Sequence, residues 1–338
     1  MSNPPLSANS TILGIESSCD DTSAAVLING KIASNITASQ DVHRKYGGVV
    51  PELASRAHQS HIIPVIESAL ATAKITLSEV DAIAVTQGPG LMGSLVVGLN
   101  TAKGLALATN KPVIGVNHLH AHIAALYIEN DIQFPMLGLL VSGGHTQLIW
   151  VTEPGSYHII GQTIDDAVGE AFDKGAKIMG MGYPGGPEIS KWAESGDPNF
   201  HKFPDSQTED LSFSFSGIKT SLLYFLKKAQ QSDSDFLVKN KTHICASYQD
   251  ALIQMLLKRV KKALKIYPAA SIGLVGGVSA NLTLRMAFKQ LAESHKIHSY
   301  IPSFEFCTDN AAMIAQAGLH LAIKGEFLKL DALPYTRA

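Results

Sequence analysis

Two stretches of the chain carry the same order of apolar and polar runs. In "TILGIESSCDDTSAAVLINGKIASNI" (11–36) an apolar run leads through a small polar turn to a second run, an Asn29-Gly30 step and a third run. Asn-Gly between apolar runs signals a type I′ hairpin, so three strands are expected. In "FPMLGLLVSGGHTQLIWVTEPGSYHII" (134–160) the plan recurs, with turns at Ser142-Gly143-Gly144 and Pro154-Gly155. Helical segments and single apolar strands follow each stretch, among them "DAIAVTQ" (81–87) and "SIGLVGG" (271–277). The sequences differ, but the order of elements is shared. Two β-meanders, each followed by α/β crossovers, predict a duplicated α/β architecture with a cleft between the halves.

"NHLHAHI" (117–123) has two readings with different chemistry. On a strand, His118, His120 and His122 would share one face. On a helix only His118 and His122, four apart, would do so. "PVIGV" (112–116) reads as a short strand, and Asn117 is a good N-cap. Leu119, Ile123, Leu126 and Tyr127 then recur at helical spacing over 118–129. The helix is preferred, which pairs His118 with His122 and sends His120 elsewhere. A helical i,i+4 pair suits one metal ion, because both imidazoles reach the same point. It equally describes two polar residues near a helix start. A zinc-peptidase site would need Glu after the first histidine, where Leu119 stands.

Two segments fall outside the repeated plan. Residues 41–62 carry His43, Arg44, His58 and His61 around Gly47-Gly48, and 196–221 are rich in Pro, Ser and Asp. Both read as surface insertions, and loops of this length are usually functional or disordered.

A chain of 338 residues is long enough for two domains. With 46% hydrophobic and 17% charged residues it reads as globular rather than disordered. Net charge is -2, which removes any global electrostatic argument for nucleic acid. Cys19, Cys245 and Cys307 are far apart and without CxxC spacing, which argues against a disulfide framework or a cysteine-ligated zinc. The first ten residues lack a basic and apolar leader pattern, and Ser142 to Gln147 interrupt the uncharged run from Phe134 to Thr152. A soluble protein of a reducing compartment, cytoplasmic and not membrane-bound, is the expectation.

Four further motifs are individually weak. "VSGGH" (141–145) after a strand is either a phosphate cradle or a tight turn, and it lacks the Lys-Ser/Thr ending of a P-loop. "GLVGGVSANLTLR" (273–285) puts Asn281 near a helix start, within reach of a base or ribose. "SCDDTS" (18–23) crowds Asp20 and Asp21 into a turn, and "CTDNAAM" (307–313) puts Asp309 where an N-cap would serve. Together, on duplicated halves, they describe a nucleotide clamp of the actin and sugar-kinase type.

The motifs "GIESSCDDTS", "YGGVVPELASRAH", "TQGPGLMGSLVVG", "NHLHAH", "VSGGHTQL", "DDAVGEAFDKGAK", "YPGGP", "SFSGIKT", "GGVSANLTLR" and "CTDNAAM" carry a closer likeness. In that order, over about residues 12–313, the chain resembles the tRNA threonylcarbamoyladenosine transferase family. The resemblance implies a duplicated actin-like ATPase fold of the ribonuclease H-like kind, with lobes at 1–133 (completed by 300–338) and 134–299. It implies an acyltransferase that moves the threonylcarbamoyl group of threonylcarbamoyl-AMP to N6 of the adenosine 3′ of the anticodon, in tRNAs reading codons that begin with A. AMP would be released.

Matched by motif, His118, His122 and Asp309 would hold one divalent metal, usually iron in the family, with zinc the alternative. Val141, Ser142, Gly143, Gly144 and His145 would contact the phosphate and carbamoyl end of the adenylate; Asp173, Gly186 and Asn281 would bind its nucleotide. His120 stands where bacterial relatives often carry Glu. No general base is assigned; Glu16 and Asp20 are the candidates. Implied partners are tRNA, a smaller TsaB-like paralogue, a TsaE-like ATPase and a TsaC-like synthase that supplies the adenylate. An ATPase or phosphotransferase of the same fold, or a non-catalytic nucleotide-binding scaffold, are the rival readings.

Overall fold

The computed structural model describes residues 4–337, apart from 41, 42, 44, 45, 207 and 209; Arg44 therefore lies outside the described residues. The chain forms two compact units, Met1–Asp131 with Pro302–Ala338, and Ile132–Ile301.

In the first unit the expected meander is β1 (Ile12–Glu16), β2 (Thr22–Ile28) and β3 (Lys31–Ala38), with Asn29 and Gly30 both at positive φ in the turn. Helix α1 (Pro51–Ala73), β4 (Ala82–Gly88), α2 (Met92–Thr109), β5 (Val113–Asn117) and α3 (His118–Ala124) follow. The second unit repeats the plan with β6 (Met136–Val141), β7 (Thr146–Glu153) and β8 (Ser156–Gln162). Helices α4 (Val168–Ile178), α5 (Gly185–Ala193), α6 (Ser216–Ser232) and α7 (Phe236–Ile266) come next, then β9 (Ser271–Val275), α8 (Leu282–His295) and β10 (His298–Tyr300). Helix α9 (Ala311–Ile323) returns to the first unit.

The sheets run β3-β2-β1-β4-β5 and β8-β7-β6-β9-β10, the same order twice. In each, the meander is antiparallel and the last two strands join in parallel. The duplicated α/β fold is therefore present.

Buried strands of this kind need apolar residues on both faces, and the alternation sorts them. Ile12, Ala25, Leu27, Ala82 and Ala84 pack with α9, while Leu13, Ile15, Val26, Ile83 and Val85 pack with Ile62, Val65 and Ile66 of α1 and Leu99 of α2. Helix α9 approaches closely because small residues face it. A Cβ at Gly14 would run into Ala311 O and lie 2.8 Å from Ala315 N. This is how Asp309, just before α9, is brought to the sheet.

Three expectations need correction. Residues 51–62 are the first half of α1, not a surface insertion: Pro51 opens the helix, where its missing N–H costs nothing. The buried stripe Ala54, His58, Ile62, Val65, Ile66 and Ala69 has a helical period, but a histidine sits in it. Residues 216–221 likewise belong to α6. Helix α3 ends at Ala124 and tightens into a 3-10 turn over Ala125–Ile128. The three-residue β10 was too short to show a pattern.

Lys258, Arg259, Lys261, Lys262 and Lys265 read from the sequence as the solvated face of a helix, and on α7 they are not simply that. Arg259 is buried and donates to Thr208 Oγ1 (2.6 Å), Ser212 O (3.0 Å) and Ser206 O (3.0 Å). Lys262 donates to Asp210 O (2.7 Å) and Lys258 pairs with Asp205. No helix among the described residues is long and apolar enough to cross a membrane.

Candidate active site

Strand β5 delivers the chain to Asn117, whose side-chain oxygen accepts from the N–H groups of Leu119 (2.9 Å) and His120 (3.1 Å). The cap starts α3 where the sequence predicts it, and the helix turns His118 and His122 together. Their rings meet edge to face, 4.8 Å between centroids. Asp309 closes the group: its Oδ1 is 3.4 Å from His118 Nε2 and 3.3 Å from His122 Nε2. One ligand atom from each of the three lies within 4.8 Å of the others. His120 is half-buried and outside the trio, as the helical reading requires.

Behind His118 stands Glu16, fully buried at the end of β1. Its carboxylate accepts from Ser18 N (2.5 Å), Thr86 Oγ1 (2.6 Å) and His118 Nδ1 (3.0 Å). That arrangement orients the ring: its Nδ1–H donates to Glu16, and Nε2 faces Asp309. Burial alone would raise the pKa of Glu16, but His118 beside it, with the bond from Thr86, holds it below the ordinary range. Burial likewise opposes ionisation of Asp309, and His118 and His122 overcome it. Burial works against a charged His118, yet Asp309 and Glu16 on either side raise its pKa well above the ordinary value.

The trio fits a divalent cation. Among the described residues His122 Nδ1 is buried without a hydrogen-bond partner and Nε2 meets only the Asp309 carboxylate, at 3.3 Å, a poorly satisfied state for an imidazole. Two imidazoles and one carboxylate leave coordination positions open, the donor set of mononuclear iron and catalytic zinc sites. A cation would offset the same two carboxylates that otherwise favour a proton on His118.

The acidic turn is held from two sides. His58 of α1 is buried; its Nε2–H donates to Cys19 O (3.0 Å), and its Nδ1 accepts from Thr22 Oγ1 (2.8 Å). Burial keeps its pKa below the ordinary histidine value. From α2, Ser94 Oγ donates to Cys19 O (3.0 Å), and Leu91 N donates to Ser18 O (2.8 Å). Asp20 is half-buried beside the Cys19 thiol, which burial and Asp20 push far up. Burial is also the main cause that raises Asp21 to about 6.

The remaining predicted residues lie in the second unit. Ser142 N donates to His145 O (2.8 Å) and Ser142 Oγ accepts from His145 N (3.1 Å), which closes the turn. Gly143 and Gly144 are exposed, with nothing within 4 Å of an added Cβ. The fold does not demand glycine there. Val141 is buried, and Gly276 at positive φ lets β9's turn lie against its carbonyl. Gly169 N on α4 donates to Ser142 O (3.2 Å).

One turn along α4, Asp173 accepts from Gly185 N (2.7 Å), with Gly186 adjacent. Burial raises its pKa against the pull of those N–H groups. Asn281 caps α8 through Leu284 N (2.9 Å) and donates to Ser190 Oγ and Gln249 Oε1 (both 2.8 Å). Its polar groups are engaged with protein, tying α8 to α5 and α7.

Comparison with known proteins matches residues 31–316 to the family model TsaD: tRNA N6-adenosine threonylcarbamoyltransferase. The chain belongs to that family. Among relatives, it is 52% identical over 330 residues to the tRNA N6-adenosine threonylcarbamoyltransferase of Christiangramia forsetii, covering 96% of this chain and 97% of that one. It is 50% identical over 332 residues to that of Porphyromonas gingivalis, at 96% and 97% coverage. Among solved structures, HypF of T. kodakarensis aligns over 97% of this chain and 50% of its own, with TM-score 0.64 and 14% identity. Component A of the Acidaminococcus fermentans (R)-2-hydroxyglutaryl-CoA dehydratase aligns over 94% and 99%, with TM-score 0.55 and 14% identity. At that identity these two speak for the fold alone.

Membership in the family leaves two site residues that the sequence reading did not place. Glu16 was a candidate base; the structure puts it behind His118 as an orienting carboxylate. His58 was read as part of an insertion; it fastens α1 to the acidic turn. Neither pairing has a local signal, since each joins elements far apart in the chain.

Proposed function

We propose that the chain transfers threonylcarbamoyl from threonylcarbamoyl-AMP to N6 of an adenosine in tRNA, next to the anticodon on its 3′ side, and releases AMP. The observation that carries this reading beyond the family match is the His118–His122–Asp309 trio with Glu16 fixed behind it. A phosphotransferase or ATPase of the same fold has no need of that imidazole pair, and a scaffold has no need of its orienting shell. The metal is a divalent cation, with iron favoured by the family resemblance and zinc the alternative.

The adenylate is a mixed anhydride, so its phosphate is already a good leaving group. The exocyclic amine of adenosine attacks the carbamoyl carbon, the bond to the phosphate oxygen breaks, and a proton leaves the nitrogen. The metal, when bound, supplies Lewis acidity and a template for oxygen ligands. The Ser142–His145 turn offers backbone N–H groups, with no side chain on Gly143 and Gly144 to keep an anion away. Asp173 of α4 accepts the first N–H of α5, beside Gly186, and its carboxylate offers acceptor capacity to the nucleotide there. Asn281 acts by holding α8 and α5 in place.

Glu16 is fully engaged and kept ionised, a poor proton acceptor. Asp20 in the adjoining turn is the better candidate for the base.

The test is a transfer assay with labelled threonine, bicarbonate, ATP and unmodified tRNA, with partner proteins added one at a time. Label in the tRNA that depends on this chain is the expected result. ATP turnover without labelled tRNA under every combination would refute the reading.

A further inference from the structure

In "TQGPG", at the end of β4, Thr86 serves Glu16, but the Gln87-Gly88 step has no role in that scheme. The structure shows what it holds. After α9 the chain passes along the exposed edge of β5, where Leu328 N donates to Val113 O (2.7 Å) and pairs in antiparallel fashion. Lys103 of α2 donates to Ala332 O (2.6 Å), and Gln87 Nε2 donates to Leu333 O (2.9 Å). Tyr335 N donates to Gln87 O (3.2 Å). Gly88 leaves the room for this: a Cβ there would run into Tyr335 O and lie 2.7 Å from its ring.

The path ends at the cap of the metal helix. Asn117 Nδ2 donates to the Tyr335 hydroxyl (3.0 Å), while Asn117 Oδ1 receives the N–H groups of Leu119 and His120. Helix α3 has only seven residues. A helix this short gains little from its own hydrogen bonds, so its start is set by the cap. His118 is the first residue after that cap. With its oxygen turned to α3, the half-buried amide has its nitrogen facing Tyr335, whose hydroxyl accepts from it and holds the amide in that orientation.

We infer that Tyr335 is a positioning residue of the metal site: through Asn117 it sets the start of α3, and with it the aim of His118 and His122. The inference rests on the metal reading above. It makes residues 328–335, strapped over β5 and the Gln87-Gly88 turn, a device that tunes metal affinity without touching the metal.

The experiment titrates Co(II), a visible-absorbing probe ion, into the metal-free full chain and reads both affinity and d–d spectrum. Tyr335→Phe keeps the ring and removes the acceptor. It should weaken Co(II) binding by about 3- to 10-fold and alter the spectrum; residues that hydrogen-bond directly to a metal ligand commonly give about 10- to 100-fold, and Tyr335 is one step further out. Asn117→Ser keeps a capping oxygen and removes the amide, so adding Tyr335→Phe to it should change nothing more.

Wild-type affinity and spectrum in Tyr335→Phe would overturn the inference and leave the metal site standing. A lowered melting temperature with unchanged Co(II) affinity would also overturn it, by showing a packing role only. Independent, additive losses in the double variant would break the proposed link through Asn117. If the wild-type chain binds no Co(II), the metal reading falls first and the inference with it.

Discussion

A histidine at the start of a helix is common; what distinguishes His118 is a carboxylate on each side of its ring. His118→Ala or His122→Ala should lower bound metal by on the order of tenfold or more, and transfer with it. His120→Ala should change either far less, because that ring lies outside the trio; metal analysis of the purified variants decides. The i,i+4 pair was legible because helix geometry alone brings it together. Glu16 was not, since it meets His118 only through the sheet order β1-β4-β5. In the second unit, Gly143→Val adds a side chain into open space, so folding should survive. Binding of a non-hydrolysable adenylate should still weaken by about tenfold or more, read by calorimetry. Asp21 supplies a pH test. Burial raises it to about 6, so between its unfolded value and 6 the folded state holds the extra proton. Stability is therefore lost as pH rises through that window. Asp21→Asn should make the metal-free protein more stable by about 2 kcal/mol at pH 8, with the gain gone near pH 4, measured from urea midpoints.

Elements were legible where the pattern was local. The two meanders, with an Asn-Gly hairpin in one and Pro-Gly in the other, declare themselves within about thirty residues each. Helix α1 did not, because its buried stripe contains His58, which reads as polar yet is satisfied by Thr22 and a backbone carbonyl. The loop before α6 was seen as a loop, but what orders it was hidden in α7. Arg259 looked like one member of a solvated basic run; its guanidinium instead serves the carbonyls of Ser206 and Ser212 and the Thr208 hydroxyl. Buried charged donors of this kind cannot be removed without orphaning their acceptors. Arg259→Met should destabilise the protein by about 2–4 kcal/mol and open the 204–212 segment to limited proteolysis. Lys265→Met, at the end of the same helix and outside that set of contacts, should do neither.

At the scale of the whole molecule, charge and exposed surface raise the same question. tRNA is a polyanion, and Lys and Arg contacts to phosphate normally dominate its binding. This chain has a net charge of -2, and Arg259, Lys258 and Lys262 of its basic run already bind their own protein. At the same time α1 and α2 expose Ile63 (46%), Met92 (48%), Val96 (38%) and Leu107 (67%), more apolar surface than two helices need present to water. Both facts fit a subunit that works in company. The family resemblance implies a smaller paralogue and an ATPase as that company, with helices of the N-terminal half as the expected contact. The isolated chain should then bind the adenylate yet sustain little transfer to tRNA, and the partners should restore turnover. Glutamates introduced together at Val96 and Leu107 would face solvent in the free chain and lie desolvated in the complex. They should leave the melting temperature unchanged and weaken association by about tenfold or more, with a matching loss of partner-stimulated transfer. Sustained multiple turnover by the isolated chain, or stimulation undiminished in the double glutamate variant, would show that α1 and α2 do not form the partner contact and that tRNA is held by this chain's own surface.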